Sequence, residues 1–336
     1  MRTAISVKVD GEYQGQRLDN FVARHCRGVP RSHVYQLIRS GQVRVNGGRA
    51  SAELRLNEGD RVRLPPVSGV RPKDAAAAGP AGCAAASGPD LPILHQDDAL
   101  LVVDKPAGLA VHGGSGISLG AIEALRRQRP QARFLELVHR LDRETSGVLV
   151  VATRRAALVG LQQQFRERST AKTYLAVVAG RWPLRTRTIR APLERLAAPD
   201  GDRRVRVSEQ GREAVTRVTG LLHFELSGAP EGATLVVAVI ETGRTHQIRV
   251  HLAHAGHPVV GDDKYGDFQL NKTLRPLGLG RMYLHAYRLE IRHPIDAEVM
   301  CFEAPLPEAF GRIIGGSTSI DAILEHPMLS RRKKRP

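Results

Sequence analysis

Apolar positions between Gln16 and Pro65 keep first a helical and then a strand rhythm. Leu18, Phe21 and Val22 fall at i, i+3 and i+4; Val34, Leu37 and Ile38 repeat that spacing after Pro30 and Ser32 and stop at Gly41. Val43 and Val45 then alternate with polar residues, Asn46–Gly47 supplies a turn, and a second short strand, RVRL, follows Gly59–Asp60. Beyond residue 90 the rhythm is mostly that of strands. Apolar runs at Leu100–Val103, 135–141, 147–152, 173–180 and 233–241 predict strands, and helical spacing appears near 118–128, 155–168 and 245–255. Strands that are not separated by regular helices predict an α+β fold with a mixed, largely antiparallel central sheet and flanking helices, against a doubly wound parallel sheet. The segment between the two regions, 66–90, is rich in Ala, Gly and Pro and has no apolar period, which predicts a flexible linker. The expected organisation is a small α/β domain over 1–65, the linker over 66–90, a large domain over 91–316 and a basic tail over 317–336.

Composition sharpens this picture at one point. With 336 residues and 42% hydrophobic content the chain can bury a substantial core, whereas 50 basic against 34 acidic residues leave a formal charge of +16. A surplus of that size makes a polyanion the expected partner, because Lys and Arg neutralise phosphates and release counterions. The small domain concentrates it: ten arginines and no lysine between Gln16 and Pro65 face four acidic residues. Cys26, Cys83 and Cys301 form no C-x-x-C pair, so neither a disulfide framework nor a cysteine zinc site is expected. The amino terminus lacks the apolar stretch of a signal peptide and no run of 18 apolar residues occurs, so the expectation is a soluble cytoplasmic protein with no membrane contact.

The most informative stretch is His139-Arg140-Leu141-Asp142-Arg143-Glu144-Thr145-Ser146-Gly147, a polar run between two apolar strands. Asp142 is thereby placed on a rigidly anchored but accessible connection, as a catalytic carboxylate requires, although an Asp in a loop also commonly bonds its own backbone. In the stretch 241–256, Ile248, Leu252 and Ala255 form an apolar stripe with Arg249 at its edge, where an Arg stem can pack while its head meets a carboxylate. Four histidines, 246, 251, 254 and 257, cluster there, but their spacing scatters them around a helix and no acidic or cysteine motif accompanies them, so no metal is expected. The glycine-rich loop from His112 to Gly116 lacks the pattern of a nucleotide cradle.

Three motifs in order, HRLDRETSGVLVVA from His139, AKTYLA at 171–176 and TGRTHQIRVH at 242–251, resemble the RNA pseudouridine synthases of the RluA, RluC and RluD type, over a region running from Val7 to about Pro307. The module before the linker, with its R-L-D-x-F start and G-x-V-x-V-N-G turn, resembles the S4 RNA-binding domain. The resemblance implies Asp142 as the catalytic carboxylate, Arg249 as its cationic partner with Arg244 as the other candidate, and Tyr174 as the tyrosine placed against the uracil. It implies Arg140 as the side chain that enters the RNA where a base is flipped out, with His246 lining the substrate site and Leu284 either packing against the base or, the commoner role for such a residue, filling the core. Arg24, Arg27, Arg31 and Arg39 are the expected RNA contacts of the S4-like module. The implied activity is isomerisation of specific uridines in 23S ribosomal RNA, free or in the assembling large subunit, by a monomer without cofactor or metal. A non-catalytic rRNA-binding or assembly protein on the same scaffold is the alternative.

Overall fold

The structure is a computed structural model describing residues 4–26, 29–66, 89–113, 119–196, 204–315, 325–326 and 329. The chain divides into two compact units, Met1–Ser87 and Gly88–Pro336. The expected linker and basic tail fall almost wholly outside the described residues, as does the loop after Gly113.

The first unit contains β1 (Ile5–Lys8), α1 (Leu18–His25), α2 (Arg31–Arg39), β2 (Arg44–Val45) and β3 (Arg61–Leu64), with the strands in the order β1-β3-β2. The two helical triplets read from the sequence are all buried in one core with Val9, Val43, Leu56, Val62 and Leu64. The R-L-D start has a structural explanation: buried Asp19 accepts from Arg17 Nη2 at 2.9 Å, from Tyr35 Oη at 2.8 Å and from the Asn20 amide at 2.8 Å, tying α1 to α2. β1 was not visible in the apolar pattern, since only half of its short span turns inward.

The second unit is built on a ten-stranded sheet flanked by helices. Its elements are β4 (Ile93–Gln96), β5 (Leu100–Lys105), α3 (Ala121–Gln128), β6 (Glu136–Leu137), β7 (Ser146–Ala152), α4 (Arg155–Glu167), β8 (Ala171–Ala179), β9 (Thr186–Arg190), β10 (Leu193–Leu196) and β11 (Arg204–Val207). Then follow β12 (Val215–Leu226), β13 (Ala229–Ile240), α5 (Gln247–His254), α6 (Phe268–Leu274), β14 (Leu284–Arg292), β15 (Val299–Glu303) and α7 (Glu308–Ile314). The main path runs β4-β5-β7-β14-β8-β13-β12-β9, with β15 on β14, β6 on β7 and a separate β10–β11 pair. Among the described residues every strand pairing is antiparallel except β7 with β14, where Ser146 faces His285 and Gly147 faces Ala286. The mixed, largely antiparallel sheet expected from the sequence is therefore present.

Burial on both faces explains why the central strands read as continuous apolar runs. On β7, Val148 and Val150 join the cluster that packs Ala157 and Leu161 of α4, while Leu149 and Val151 meet Ala121, Ile122 and Leu125 of α3. On β8 and β13, Leu175, Val177, Leu235 and Val237 face Tyr283 and Phe310; Ala176, Val178, Val236 and Ala238 face Ile248 and Leu252 of α5. One expectation is corrected: the strand expected over 135–141 survives only as β6, Glu136–Leu137. Val138 still donates to Val150, but beyond it the chain leaves β7, with His139 Nε2 accepting from the Val150 amide in place of a ladder partner. Among the described residues no helix is long and apolar enough to cross a membrane.

Candidate active site

Asp142 lies on the connection from β6 to β7, and that connection is held from below by a buried lysine. Lys105 Nζ, at the end of β5, donates to the carbonyls of Pro106, Leu109 and Arg143 at 2.8, 2.7 and 3.0 Å. Three donated bonds use all the protons of an ammonium, although burial pushes the Lys105 pKa down to about 7 against the pull of Glu144 and Asp142. The Gly108 amide also donates to Arg143 O, so the Lys105–Gly108 turn and the Asp142 loop brace each other. On the far side of that loop, Gly147 has φ +110°, and a Cβ there would lie 2.2 Å from Ala286 O, so only glycine lets β7 leave the loop against β14.

The opposite wall is the turn that enters α5. Gln247 organises it: its Oε1 accepts from Thr242 Oγ1 at 2.7 Å and the Arg244 amide at 3.0 Å, and its Nε2 donates to Val215 O and Thr216 Oγ1. His246 is held at φ +53°, an uncommon backbone for a non-glycine residue and one that clusters at functional sites. Its Nδ1 is 2.9 Å from Tyr265 Oη, and its Nε2 is 3.8 Å from Asp142 Oδ1. Burial lowers its pKa, partly offset by Asp142.

Arg249 connects the two walls. Its Nη1 donates to Asp142 Oδ2 at 3.0 Å, while Nε and Nη2 grip Asp262 at 2.7 and 2.8 Å. Asp262 is fully buried and also accepts from the amides of Lys264 and Tyr265. Burial alone would drive Arg249 toward neutrality, but the bonds and charges of Asp262, then Asp142, raise its pKa above the ordinary guanidinium value. The same contacts outweigh burial at Asp262 and hold its carboxyl below the usual carboxylate range. Arg249 is buried, with its guanidinium 5.1 Å from the centre of the Tyr265 ring, deeper than the stripe-edge position expected from helical spacing. Arg244 is not the partner of Asp142; its Nε donates to Glu213 O at 3.0 Å.

Between these walls is a cavity of about 510 Å³ lined by all seven large-domain residues singled out from the sequence: Arg140, Asp142, Tyr174, Arg244, His246, Arg249 and Leu284. Burial, and secondarily the Asp142 charge, raises the Tyr174 pKa, so the side chain is a neutral phenol. Leu284 both faces the cavity and packs with Ile240 and Ile248. Arg140 is exposed at the rim. Both nitrogens of His251 are engaged, by Thr216 Oγ1 and Ala191 O, so this histidine is a packed structural residue. In the first unit Arg24 lies over the Tyr13 ring at 5.5 Å, Arg31 opens α2 and Arg39 closes it at the surface; Arg27 lies outside the described residues.

Sequence reasoning missed Asp262, Lys105 and Gln247. The available signal for Asp262 was Arg249 itself: an arginine on a helix buried on most sides requires a fixed counterion, and Gly261-Asp262-Asp263 is the first acidic turn after that helix.

A carboxylate fixed by a buried arginine beside a neutral tyrosine in an open polar cavity suits attack on, or proton removal from, a sugar ring. The comparisons agree with that class of site. The model of the RNA pseudouridylate synthase family matches residues 99–254, and that of the S4 domain matches residues 16–62. The chain belongs to the RNA pseudouridylate synthase family and is an RNA pseudouridine synthase carrying an S4 domain. It is 48% identical over 301 residues to ribosomal large subunit pseudouridine synthase C of Pasteurella multocida, covering 90% of each chain. To the protein of the same name from Escherichia coli K12 it is 46% identical over 310 residues, covering 92% of this chain and 95% of the relative. Two solved human structures, RNA pseudouridylate synthase domain containing 1 and domain containing 4, are each 31% identical with TM-scores of 0.55 and 0.51. They cover 65% of this chain and 84% and 90% of their own.

Proposed function

We propose that this enzyme converts specific uridines of the large-subunit (23S) ribosomal RNA to pseudouridine, with Asp142 as the catalytic carboxylate and without cofactor or metal. The observation that carries this reading is the Asp142–Arg249–Asp262 chain at the floor of the cavity, which fixes one carboxylate toward the substrate space. The relatives in Pasteurella multocida and Escherichia coli, named for the ribosomal large subunit, supply the choice of RNA.

The reaction is an isomerisation and needs no co-reactant. The N1–C1′ bond breaks, the uracil turns, C5 bonds to C1′, and the proton lost from C5 is balanced by one gained at N1. Asp142 serves this either by bonding C1′ or by taking the 2′ proton, and both routes require a carboxylate held against the sugar. Tyr174, as a neutral phenol, packs against the base and passes a proton by relay, giving up its own as it takes one. Leu284 and His246 bound the base pocket, and Arg244 binds substrate at the cavity edge. Arg140 at the rim occupies the space vacated by the flipped nucleotide. The S4 domain, through Arg24, Arg27, Arg31 and Arg39, holds the rRNA by its phosphates, in the cytoplasm where ribosomes are assembled. Release of tritium from uridine-5-tritiated large-subunit rRNA tests the proposal: wild type releases it, and Asp142→Asn binds the RNA but does not. Release by the Asn variant within tenfold of wild type refutes the assignment.

A further inference from the structure

The cations lining the cavity differ in what neutralises them. Arg249 has two carboxylates, Arg168 meets Glu213 at 2.9 Å, Arg195 donates to Thr245 Oγ1, and Arg244 donates to a backbone carbonyl. Arg140 and Arg166 also lack a carboxylate among the described residues, but both are exposed to water. Lys172 is the buried cation among those without a carboxylate. It is only 8% exposed, yet among the described residues its ammonium has no carboxylate and no hydrogen-bond acceptor. What surrounds it is the Phe165 ring, 5.6 Å from Nζ, and the Arg168 cation; His139 stacks on Phe165 at 5.0 Å. Burial, and then repulsion from Arg168, both push the Lys172 pKa down.

An ammonium largely enclosed by protein and given no anion is costly to keep, and the cavity it lines is where a counterion can reach it. Lys172 precedes Tyr174 by two on β8, so the two side chains leave the same face of the strand about 6.6 Å apart. That spacing is on the scale of the step from a base to the phosphate of its own sugar. Arg166 and Arg168, at the end of α4, line the same cavity.

We infer that Lys172 receives a phosphate of the substrate RNA, the one flanking the uridine whose sugar meets Asp142, and so sets the depth at which that nucleotide enters. The uracil oxygens are the rival occupant, but they are uncharged in the bound substrate, whereas a phosphate supplies the full counterion that the ammonium lacks. Lys172 is a positioning residue on this reading, since it touches the backbone and not the reacting atoms. The inference rests on the RNA-modifying reading of the cavity.

The test uses the full-length enzyme and a large-subunit rRNA fragment in which the phosphates 5′ and 3′ of the modified uridine are replaced in turn by neutral methylphosphonate. Lys172→Met should lower kcat/KM on the all-phosphate RNA by about 10- to 100-fold, mainly through KM, as loss of one charge-assisted contact does. One of the two methylphosphonates should cost wild type a similar factor and cost Lys172→Met nothing further. Lys172→Arg should recover most of the activity. Because Met removes a buried unpaired charge, the variant should melt no lower than wild type; if it fails to fold, Lys172→Gln, which also removes the charge, carries the same cycle. Losses from Lys172→Met and from the methylphosphonates that multiply at both positions overturn the inference, as does a Met variant equal to wild type. Binding constants measured alongside turnover complete the cycle even on an RNA that is bound but left unmodified, so failure of the proposed reaction and failure of the phosphate contact are told apart.

Discussion

Two carboxylates share Arg249, and the same substitution at each should have opposite consequences. Asp262 is fully buried, accepts two bonds from Arg249 and two from backbone amides, and has no route to water. Asp142 accepts one bond from Arg249, and its side chain is 20% exposed to the cavity. Asp262→Asn turns one acceptor into an amide that faces the guanidinium donors and leaves a buried cation half-compensated, at a cost of about 3–5 kcal/mol. At about 2–4 °C per kcal/mol for a unit of this size, the melting temperature should fall by about 10 °C. Asp142→Asn leaves Arg249 with its stronger partner and should cost about 1 kcal/mol, a shift of a few degrees. Circular dichroism melts of both variants, paired with tritium release, form the assay. Asp142→Asn should be stable and inactive, and Asp262→Asn should be unstable. Arg249→Met should be as unstable as Asp262→Asn, because it strands Asp262, while Arg249→Met combined with Asp262→Leu should regain stability without regaining turnover. Equal melting shifts for the two Asp→Asn variants would show that Arg249 is not anchored as described, and the division between an anchor and a working carboxylate would fall.

Three further outcomes are expected. Gly147→Ala should destabilise the large unit by about 3 kcal/mol or more, read in urea unfolding, since its Cβ would lie 2.2 Å from Ala286 O at φ +110°; a change below about 1 kcal/mol is inconsistent with that contact. His285 is fully buried, accepts from Ser146 at Nδ1 and has its pKa pushed down by burial to about 4. Below about pH 6.5 the unfolded chain takes up this proton and the folded chain does not, so stability present at neutral pH should be lost toward pH 4, by up to about 3 kcal/mol in all; His285→Gln should lack that part of the slope. Removing residues 1–65 takes out the arginine surplus, so the log–log salt dependence of rRNA binding should flatten by a few units, at about 0.7–0.9 per phosphate contact. Turnover at saturating RNA should persist, and an unchanged slope would show that the S4 domain does not touch the RNA.

The parts of the fold that the sequence made legible are those where a single period holds. The α1 and α2 triplets share the core of the first unit, Ile248 and Leu252 of α5 turn one stripe toward a core of the second, and β7, buried on both faces, reads as one unbroken apolar run. β12, VTRVTGLLHFEL, was invisible because its burial pattern is broken by register shifts near Gly220 and Phe224, which disturb the alternation. The strand expected over 135–141 was overextended for a related reason: Val138 and Leu141 are buried like strand residues, but they anchor a loop. At the site, the polar run drew attention to Asp142 and the stripe edge to Arg249, but a loop Asp is commonly a turn residue, and it was the family motifs that singled out Asp142, Arg249 and Tyr174. Asp262 and Lys105 could not be singled out, since their work is to bond groups brought close only by folding. Lys172 stood in plain view within a recognised motif, and only its lack of an acceptor, a property of three dimensions, distinguishes it.

The single parallel junction in the sheet has a consequence in time. β14 is the strand that joins the β4–β5–β7 portion to the β8–β13–β12–β9 portion, and it leaves the ribosome after all of them. Until residues 284–292 have been synthesised, Ser146 and Gly147 have no neighbour on that edge, and Asp142 and Arg249 belong to halves that no strand yet links. Closure across so long a stretch of sequence is slow compared with the local hairpins that precede it. The Asp142–Arg249 pair is therefore brought together late, and a chain cut short before β14 has both residues without the strand that joins their halves of the sheet.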